Sequence, residues 1–325
     1  MPQPETAPRP ASESGRATGG FIPVDRAVVA APEGAAEALL RRDRLALGID
    51  IGGTTLKAGI VDVTTGIRLT ERMTVAKPVG GEPEDIADVI AEIVLELTPD
   101  EDLPVGVGVP GIVRDGIVRS SAHISDRWLG MDARTAIRER SGIDVLTVND
   151  ADAAGVAELE YGVLQGRGGL VILTTLGTGI GTALLHDGTL IPNSELGHVH
   201  IDGGDYEMQA AFSAVRREGL TFEAWAARLE RYYRHLESIM SPDLIVVGGA
   251  AAHEFARFSA FLHLDTEIIA ASRATTPGWS ARRCSRTVRA SRPTDPAPRR
   301  PIGSAAAAAA AVRCVAPTTS GRLAS

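Results

Sequence analysis

Four short segments of the 325-residue chain carry residue types that could move a phosphoryl group. The first is Asp50-Ile-Gly-Gly-Thr-Thr-Leu-Lys57. Gly52 and Gly53 let backbone N–H groups approach a phosphate chain, Thr54 and Thr55 add hydroxyl donors, and Lys57 adds positive charge. Asp50 could hold Mg²⁺ directly or through water. A tight hairpin turn with a solvated aspartate is the plain alternative. Lys57 is one of two lysines, Lys77 being the other, against 31 arginines, so composition did not force it there.

The second segment, Thr175-Leu-Gly-Thr-Gly-Ile-Gly181, supplies Gly177, Thr178, Gly179 and Gly181 as another phosphate-type loop. It is not GxGxxG, since position 182 is Thr, and the chain holds no Gly-Lys-Ser/Thr of a Walker A loop. The third, Val148-Asn-Asp-Ala-Asp152, offers Asp150 as an N-cap or as a general base that takes the proton from an attacking hydroxyl. Asn149 could bind a neighbouring hydroxyl. The fourth, Asn193-Ser-Glu-Leu-Gly-His198, puts Glu195 and His198 three apart, with His200, Asp202 and Glu207 behind. A Glu/His pair can ligate metal, but it also supplies the acceptors and donors that adjacent sugar hydroxyls need. Cys284 and Cys314 lie far downstream, so no cysteine-based zinc site is available here.

The elements that must position these groups are legible in the apolar pattern. Leu45–Ile51, Leu56–Val63 and Ile67–Val75 read as a three-stranded antiparallel meander, and Pro83–Leu97 as an amphipathic helix with Ile86, Val89, Ile90, Ile93 and Val94 on one face. Strands are expected at Val105–Val109, Val145–Val148, Leu170–Thr175, Gly181–His186 and Leu244–Val247, and helices at Asp132–Arg140, Asp150–Tyr161 and Phe222–Met240. The class is α/β, with residues 1–44 a flexible leader, 45–149 and 150–271 two α/β domains, and 272–325 an atypical tail.

Composition narrows the function. The chain is 44% hydrophobic and 23% charged, with 41 acidic and 33 basic side chains and a net charge of −8, which argues against nucleic acid or an anionic membrane as partner. No apolar run approaches the roughly 18 residues of a spanning helix, and a cytoplasmic location is expected. The tail departs from this balance: residues 272–325 contain ten Arg, no Lys, no Glu, one Asp and seven consecutive Ala, about +9 against −17 for the remainder.

Taken in order, Asp50-Ile-Gly-Gly-Thr, Asn149-Asp-Ala-Asp-Ala-Ala-Gly155, Leu176-Gly-Thr-Gly-Ile-Gly-Thr182 and Glu195-Leu-Gly-His198 resemble the ROK family of sugar kinases and repressors, over about Leu45 to Leu264. Thr189-Leu-Ile-Pro-Asn-Ser-Glu-Leu-Gly-His198 is similar to the polyphosphate-using glucokinase branch, including polyphosphate/ATP glucomannokinases. The resemblance implies a two-domain actin-like, ribonuclease H-like ATPase fold with the sugar site in the interdomain cleft. It implies Asp150 as the base on the glucose 6-hydroxyl, and Asn149, Glu195, His198 and Glu207 as sugar contacts. Asp50, Gly52–Thr55, Lys57, Gly177–Gly181 and the pair Gly248 and Gly249 would serve a polyphosphate or ATP donor with Mg²⁺. Mannose as a second substrate and a homodimer also follow from it, and the lack of Cys in Val199–Glu207 argues against the zinc of other members.

Three positions depart from the family pattern. His123 stands where Asn is usual near the sugar, Ala250 replaces the third glycine of a triplet, and Met208 competes with Glu207 for one column. The tail departs most. Read one nucleotide earlier, the codons allowed for Ala274–Cys284 permit Asn-Asn-Ala-Gly-(Leu/Met)-Val-Gly-Ala-Ala-Ala-(Leu/Met), close to the family's last helix, which points to a frameshift and an impaired kinase. The other alternative, a sugar-sensing repressor, would carry a helix-turn-helix domain for which residues 1–44 are too short and too rich in Pro and Gly.

Overall fold

The computed structural model describes residues 44–98 and 103–271. The expected leader and the tail with its frameshift signature lie outside the described residues.

The first sheet is built from β1 (Leu45–Ile51), β2 (Thr55–Asp62), β3 (Ile67–Arg68), β4 (Met73–Ala76), β5 (Val105–Val109) and β8 (Val145–Asn149), ordered β3-β2-β1-β5-β8 with β4 also on β2. β1, β5 and β8 run parallel, so their carboxyl ends finish together, with Asp50 beside Gly108 and Asn149 beside Val109. The expected single strand over Ile67–Val75 is two strands. Thr70 Oγ1 accepts the Ile60 N–H (3.0 Å) where a ladder bond would run, so pairing breaks around the bend and resumes at Met73. β6 (Val113–Arg114) and β7 (Ile117–Val118) form a small hairpin after β5.

The second sheet has the order β11-β10-β9-β14-β15: β9 (Leu170–Leu176), β10 (Ile180–His186), β11 (Thr189–Ile191), β14 (Leu244–Gly249) and β15 (Glu267–Ala270). β14 is parallel to β9, so Gly248 and Gly249 finish beside Thr175 and Leu176. β12 (His200–Ile201) and β13 (Gly204–Asp205) close a two-residue hairpin. β11 and β15 escape the sequence reading because three or four partly exposed residues carry too little apolar period to register.

Among the described residues, four helices of nine residues or more cover the sheets: α1 (Pro83–Leu97), α2 (Ala133–Ser141), α3 (Asp150–Tyr161) and α4 (Phe222–Met240). α1 starts on Pro83 and buries Ile86, Ile90 and Ile93 with Trp128 and Ile137 against the first sheet. α4 is capped by Thr221 and buries Trp225, Leu229, Tyr232, Tyr233 and Leu236 against the second. α3 contacts strands of both sheets. Its small residues make that possible: Ala153 and Ala157 meet Val148 of the first sheet, and a Cβ on Gly155 would stand 2.7 Å from Ala183 Cβ of the second.

Candidate active site

The parallel ends of β1, β5 and β8 bring two carboxyl groups face to face. Gly108 is the spacer, since a Cβ there would lie 3.5 Å from Asp150 Cβ and 3.7 Å from Asp50 Oδ1. Any larger residue would stand between the two acids. Asp50 is buried and pairs with Lys57 Nζ at 3.5 Å, which is the β1–β2 register expressed in side chains, because Asp50 and Lys57 are cross-strand partners. Lys57 therefore meets the acid first and reaches a phosphate only from that position.

Asp150 is not the cap of α3. Asn149 is: its Oδ1 accepts the Asp152 N–H (2.8 Å) while its Nδ2 donates to the Gly111 carbonyl (3.0 Å). One acceptor and one donor of Asn149 are thus already committed, leaving one amide hydrogen for a hydroxyl. Asp150, the first helical residue, accepts the Ala151 N–H (2.8 Å). Burial pushes its carboxyl up to about 8, with the charges of Asp50 and then Glu195 adding to the rise and the Ala151 N–H opposing it.

The turn at Glu195 is held at nearly every residue. Asn193 N–H donates to Asp152 Oδ2 (2.7 Å), Thr182 donates to the Ser194 carbonyl (2.8 Å), and Leu196 N–H donates to Thr182 Oγ1 (3.0 Å). The Tyr232 hydroxyl donates to the Leu196 carbonyl (3.1 Å). Gly197 is required, because a Cβ would fall 2.0 Å from the Ile180 carbonyl oxygen. Glu195 itself is half-buried and its Oε1 is enclosed without a partner. Burial raises its pKa, opposed by His198 and assisted by Glu207.

Of the two candidates Glu207 and Met208, Glu207 is buried and Met208 is exposed. Glu207 Oε1 accepts the Ile180 N–H (3.0 Å) beside the glycine loop, and its Oε2 is 4.0 Å from His198 Nδ1. A Cβ on Gly179 would stand 2.2 Å from Glu207 Oε1 and 3.2 Å from His123 Nε2, so His123 reaches this corner from the first half of the chain. His198 Nδ1 is 2.8 Å from Asp205 Oδ2, and Asp205 Oδ1 accepts the Glu207 N–H (2.9 Å). The sequence reading missed Asp205. The signal was the Asp202-Gly203 dipeptide, whose positive φ values (57° and 80°) close a hairpin that returns Asp205 opposite His200 and so toward His198. Asp202 instead pairs with Arg231, and His200 is exposed on β12.

The two glycine loops meet. A Cβ on Gly53 would be 3.1 Å from Thr178 Oγ1, and Gly52 closes its own turn by donating N–H to the Thr55 carbonyl (2.9 Å). Thr54 lies between, its carbonyl accepting the Lys77 N–H (2.9 Å). Gly177 N–H donates to the Gly179 carbonyl (3.0 Å), and a Cβ on Gly181 would sit 3.0 Å from Ala151 Cβ, so the second loop rests on the helix that carries Asp150. Gly249, with φ 70°, could not hold a Cβ, which would lie 2.7 Å from Leu176 N and O. Ala250 adds its methyl on an exposed position just beyond. The carboxylates, the Glu195 turn and both loops therefore converge at the carboxyl ends of the parallel strands of the two sheets, where ligands of α/β folds bind.

The ROK family model matches residues 46–219. The chain is 39% identical over 236 residues to the polyphosphate glucokinase of Mycobacterium tuberculosis, covering 72% of this chain and 88% of that one. It is 39% identical over 232 residues to the polyphosphate glucokinase of Mycobacterium leprae, covering 71% of each. Among solved structures, the inorganic polyphosphate/ATP-glucomannokinase of Arthrobacter sp. strain KM superposes with a TM-score of 0.67 at 43% identity, covering 70% of this chain and 92% of that one.

Proposed function

Because the chain belongs to the ROK family and has its actin-like ATPase fold, we propose that it is a polyphosphate glucokinase, moving a phosphoryl group from inorganic polyphosphate or ATP to the 6-hydroxyl of glucose. The observation that carries the reading is the setting of Asp150: a carboxyl facing Asp50 across Gly108, coupled to Glu195, on the helix against which the second glycine loop packs.

In this reading Asp150 takes the proton of the 6-hydroxyl as its oxygen attacks the terminal phosphorus, the bond to the leaving phosphate breaks, and glucose 6-phosphate forms. The sugar is held by Asn149, Glu195, His198 and Glu207, with His123 closing the corner near Gly179. Glu195 Oε1, enclosed and unpaired, is an acceptor waiting for a hydroxyl. The donor lies along Gly52, Gly53, Thr54, Thr55 and Gly177–Gly181, with Gly248 and Gly249 behind, where backbone N–H groups take the place of side chains. A pKa near 8 means that Asp150 is protonated at neutral pH in the free chain, and positive charge brought beside it lowers that value to the working range.

Mg²⁺ suits this site. Mg²⁺ commonly takes one or two carboxylates and completes its shell with water and substrate phosphate, and Asp50 with Asp150 near offers such oxygens. Among the described residues no cluster of three or more His, Cys, Asp or Glu could hold a metal by protein alone. When bound it would neutralise charge on the transferring phosphoryl group. We also place the domain division at Asn149/Asp150, supported by one sheet formed wholly before it and one wholly after. Mannose acceptance and a homodimer belong to the proposal on family grounds. Among the described residues no helix is long and apolar enough to cross a membrane.

The test is glucose 6-phosphate formation by the purified chain with Mg²⁺, polyphosphate and ATP being supplied in parallel, with Asp150→Asn as control and mannose as a second acceptor. Product that disappears in the control supports the reading. A folded chain silent with both donors overturns it.

A further inference from the structure

Four hydrogen bonds form a closed circuit behind the reacting groups. The Gly111 carbonyl accepts from Asn149 Nδ2 (3.0 Å), Asn149 Oδ1 accepts from Asp152 N–H (2.8 Å), Asp152 Oδ2 accepts from Asn193 N–H (2.7 Å), and Asn193 Oδ1 accepts from Val113 N–H (2.9 Å). The covalent step Gly111-Ile112-Val113 closes the ring. Its members come from three places: the segment after β5, the first turn of α3, and the loop that opens the Glu195 turn. Asp152 is its ionisable member, 5% exposed, and its second oxygen, Oδ1, has no partner.

We propose that Asp152 and Asn193 are positioning residues that fix the Glu195 turn in register with Asp150, setting the affinity of the site for glucose. The inference rests on the kinase reading above.

Two features support it. Asp150 and Asp152 share one helical turn, so a constraint on Asp152 is transmitted to the base through a backbone whose φ and ψ are already fixed. Asn193 adopts φ 62°, a left-handed conformation that an asparagine accepts at a cost and that presents its side chain to Val113 while its N–H faces Asp152. A loop with neither bond would leave Glu195 tied only through Thr182 and Tyr232. The donor loops at Gly52–Thr55 and Gly177–Gly181 contribute no atom to the circuit. Its loss is therefore felt by the sugar.

The test uses the full chain and four variants: Asn193→Gly, which keeps the left-handed backbone and deletes the bond to Val113; Asp152→Ala; their double; and Asp152→Asn, which retains an acceptor for the Asn193 N–H. Glucose binding is read by calorimetry, and KM for glucose and for the donor by kinetics. Each single deletion is expected to weaken glucose by about tenfold with the donor KM within about twofold, and the double to be little worse than the poorer single, as members of one network behave. Asp152→Asn is expected to recover most of the affinity. Unchanged glucose affinity in the singles, a parallel fall in glucose and donor affinity, or an additive double would overturn the proposal. If Asp152→Ala does not fold, Asn193→Gly and Asp152→Asn decide by the same criteria. Failure of the unaltered chain to bind glucose would overturn the kinase reading and this inference with it, whereas normal binding in every variant overturns this inference alone.

Discussion

Asp205 Oδ2 lies 2.8 Å from His198 Nδ1, and the same carboxylate accepts the Glu207 N–H through Oδ1. One acid thereby orients both His198 and Glu207, two of the side chains proposed to hold the sugar. With Nδ1 engaged, the ring's tautomer is set by its partner. Desolvation pulls the His198 imidazole down, but the Asp205 hydrogen bond and the charges of Glu207, Asp205 and Glu195 outweigh it, so its pKa is raised. Asp205, despite the upward pull of burial, is held low by the Glu207 N–H and by His198.

Asp205→Asn is therefore expected to lower the His198 pKa and to weaken glucose by about tenfold while changing kcat less. The stability that this raised pKa confers is fully present below the unfolded value of 6.5 and is lost as pH rises through the folded one. The variant loses that contribution mainly in acid. Proton NMR of the His198 ring and glucose KM at several pH values check both effects, and an unmoved ring titration would refute the assignment.

Asp150→Asn should lower activity by about a hundred- to ten-thousandfold, the typical contribution of a general base. It should also stabilise the fold in mild base. A carboxyl whose pKa is raised from 3.8 to about 8 favours the folded state below 3.8, and that contribution is lost as pH rises toward 8. The amide has no charge to bury, so at pH 8 a melting temperature higher by about 3–5 °C is expected from calorimetry. A lower melting temperature would contradict the buried-acid account.

The rate should follow the same group. The kcat/KM for glucose reports the free enzyme and is expected to climb with pH until Asp150 is ionised near 8. Asp50→Asn removes the like charge facing Asp150 and should shift the limb to lower pH; in the proposed function it should also weaken the donor, because Lys57 loses its partner and the proposed Mg²⁺ a carboxylate. A limb that stays in place would show that Asp50 is not the electrostatic neighbour the geometry indicates.

Gly179→Ala tests the corner where the Gly177–Gly181 loop meets Glu207 and His123. Its methyl would displace Glu207 Oε1, 2.2 Å away, and break the bond from Ile180 N–H. The expected result is a rise of about tenfold in KM for glucose, with stability falling by about 1–3 kcal/mol as a buried N–H loses its acceptor. Urea unfolding and glucose kinetics read the two effects separately.

Much of this site is visible in the chain itself. Asp50, Gly52 and Gly53, Asp150, Gly177–Gly181, Glu195 and His198 declare themselves because glycine pairs and acids at strand ends are local features of sequence. The strands β1, β5 and β9 are legible because they are short, mostly buried runs rich in Val, Leu and Ile. What the sequence hides are relations. That Asn149, and not Asp150, caps α3 depends on which of two adjacent acceptors faces the Asp152 N–H. That Asp205 serves His198 depends on a hairpin of two-residue strands, too short to show a period. Asp152 looks like a solvated helix residue until Asn193, 41 positions away, is brought to it.

The convergence of Asp150 and the glycine loops at one end of the second sheet leaves the other end free. β9 runs toward the glycine loop and β10 runs back, so the Asp187-Gly188 hairpin, with φ 47° and 74°, turns at the far edge, exposed and held by the exchange between Asp187 and Gly169 and by His186 beside Asp187. That tip is a natural handle. A peptide tag or a surface anchor inserted there would hold the molecule by the end opposite Asp150 and the glycine loops, so an immobilised layer would present that face to the solution.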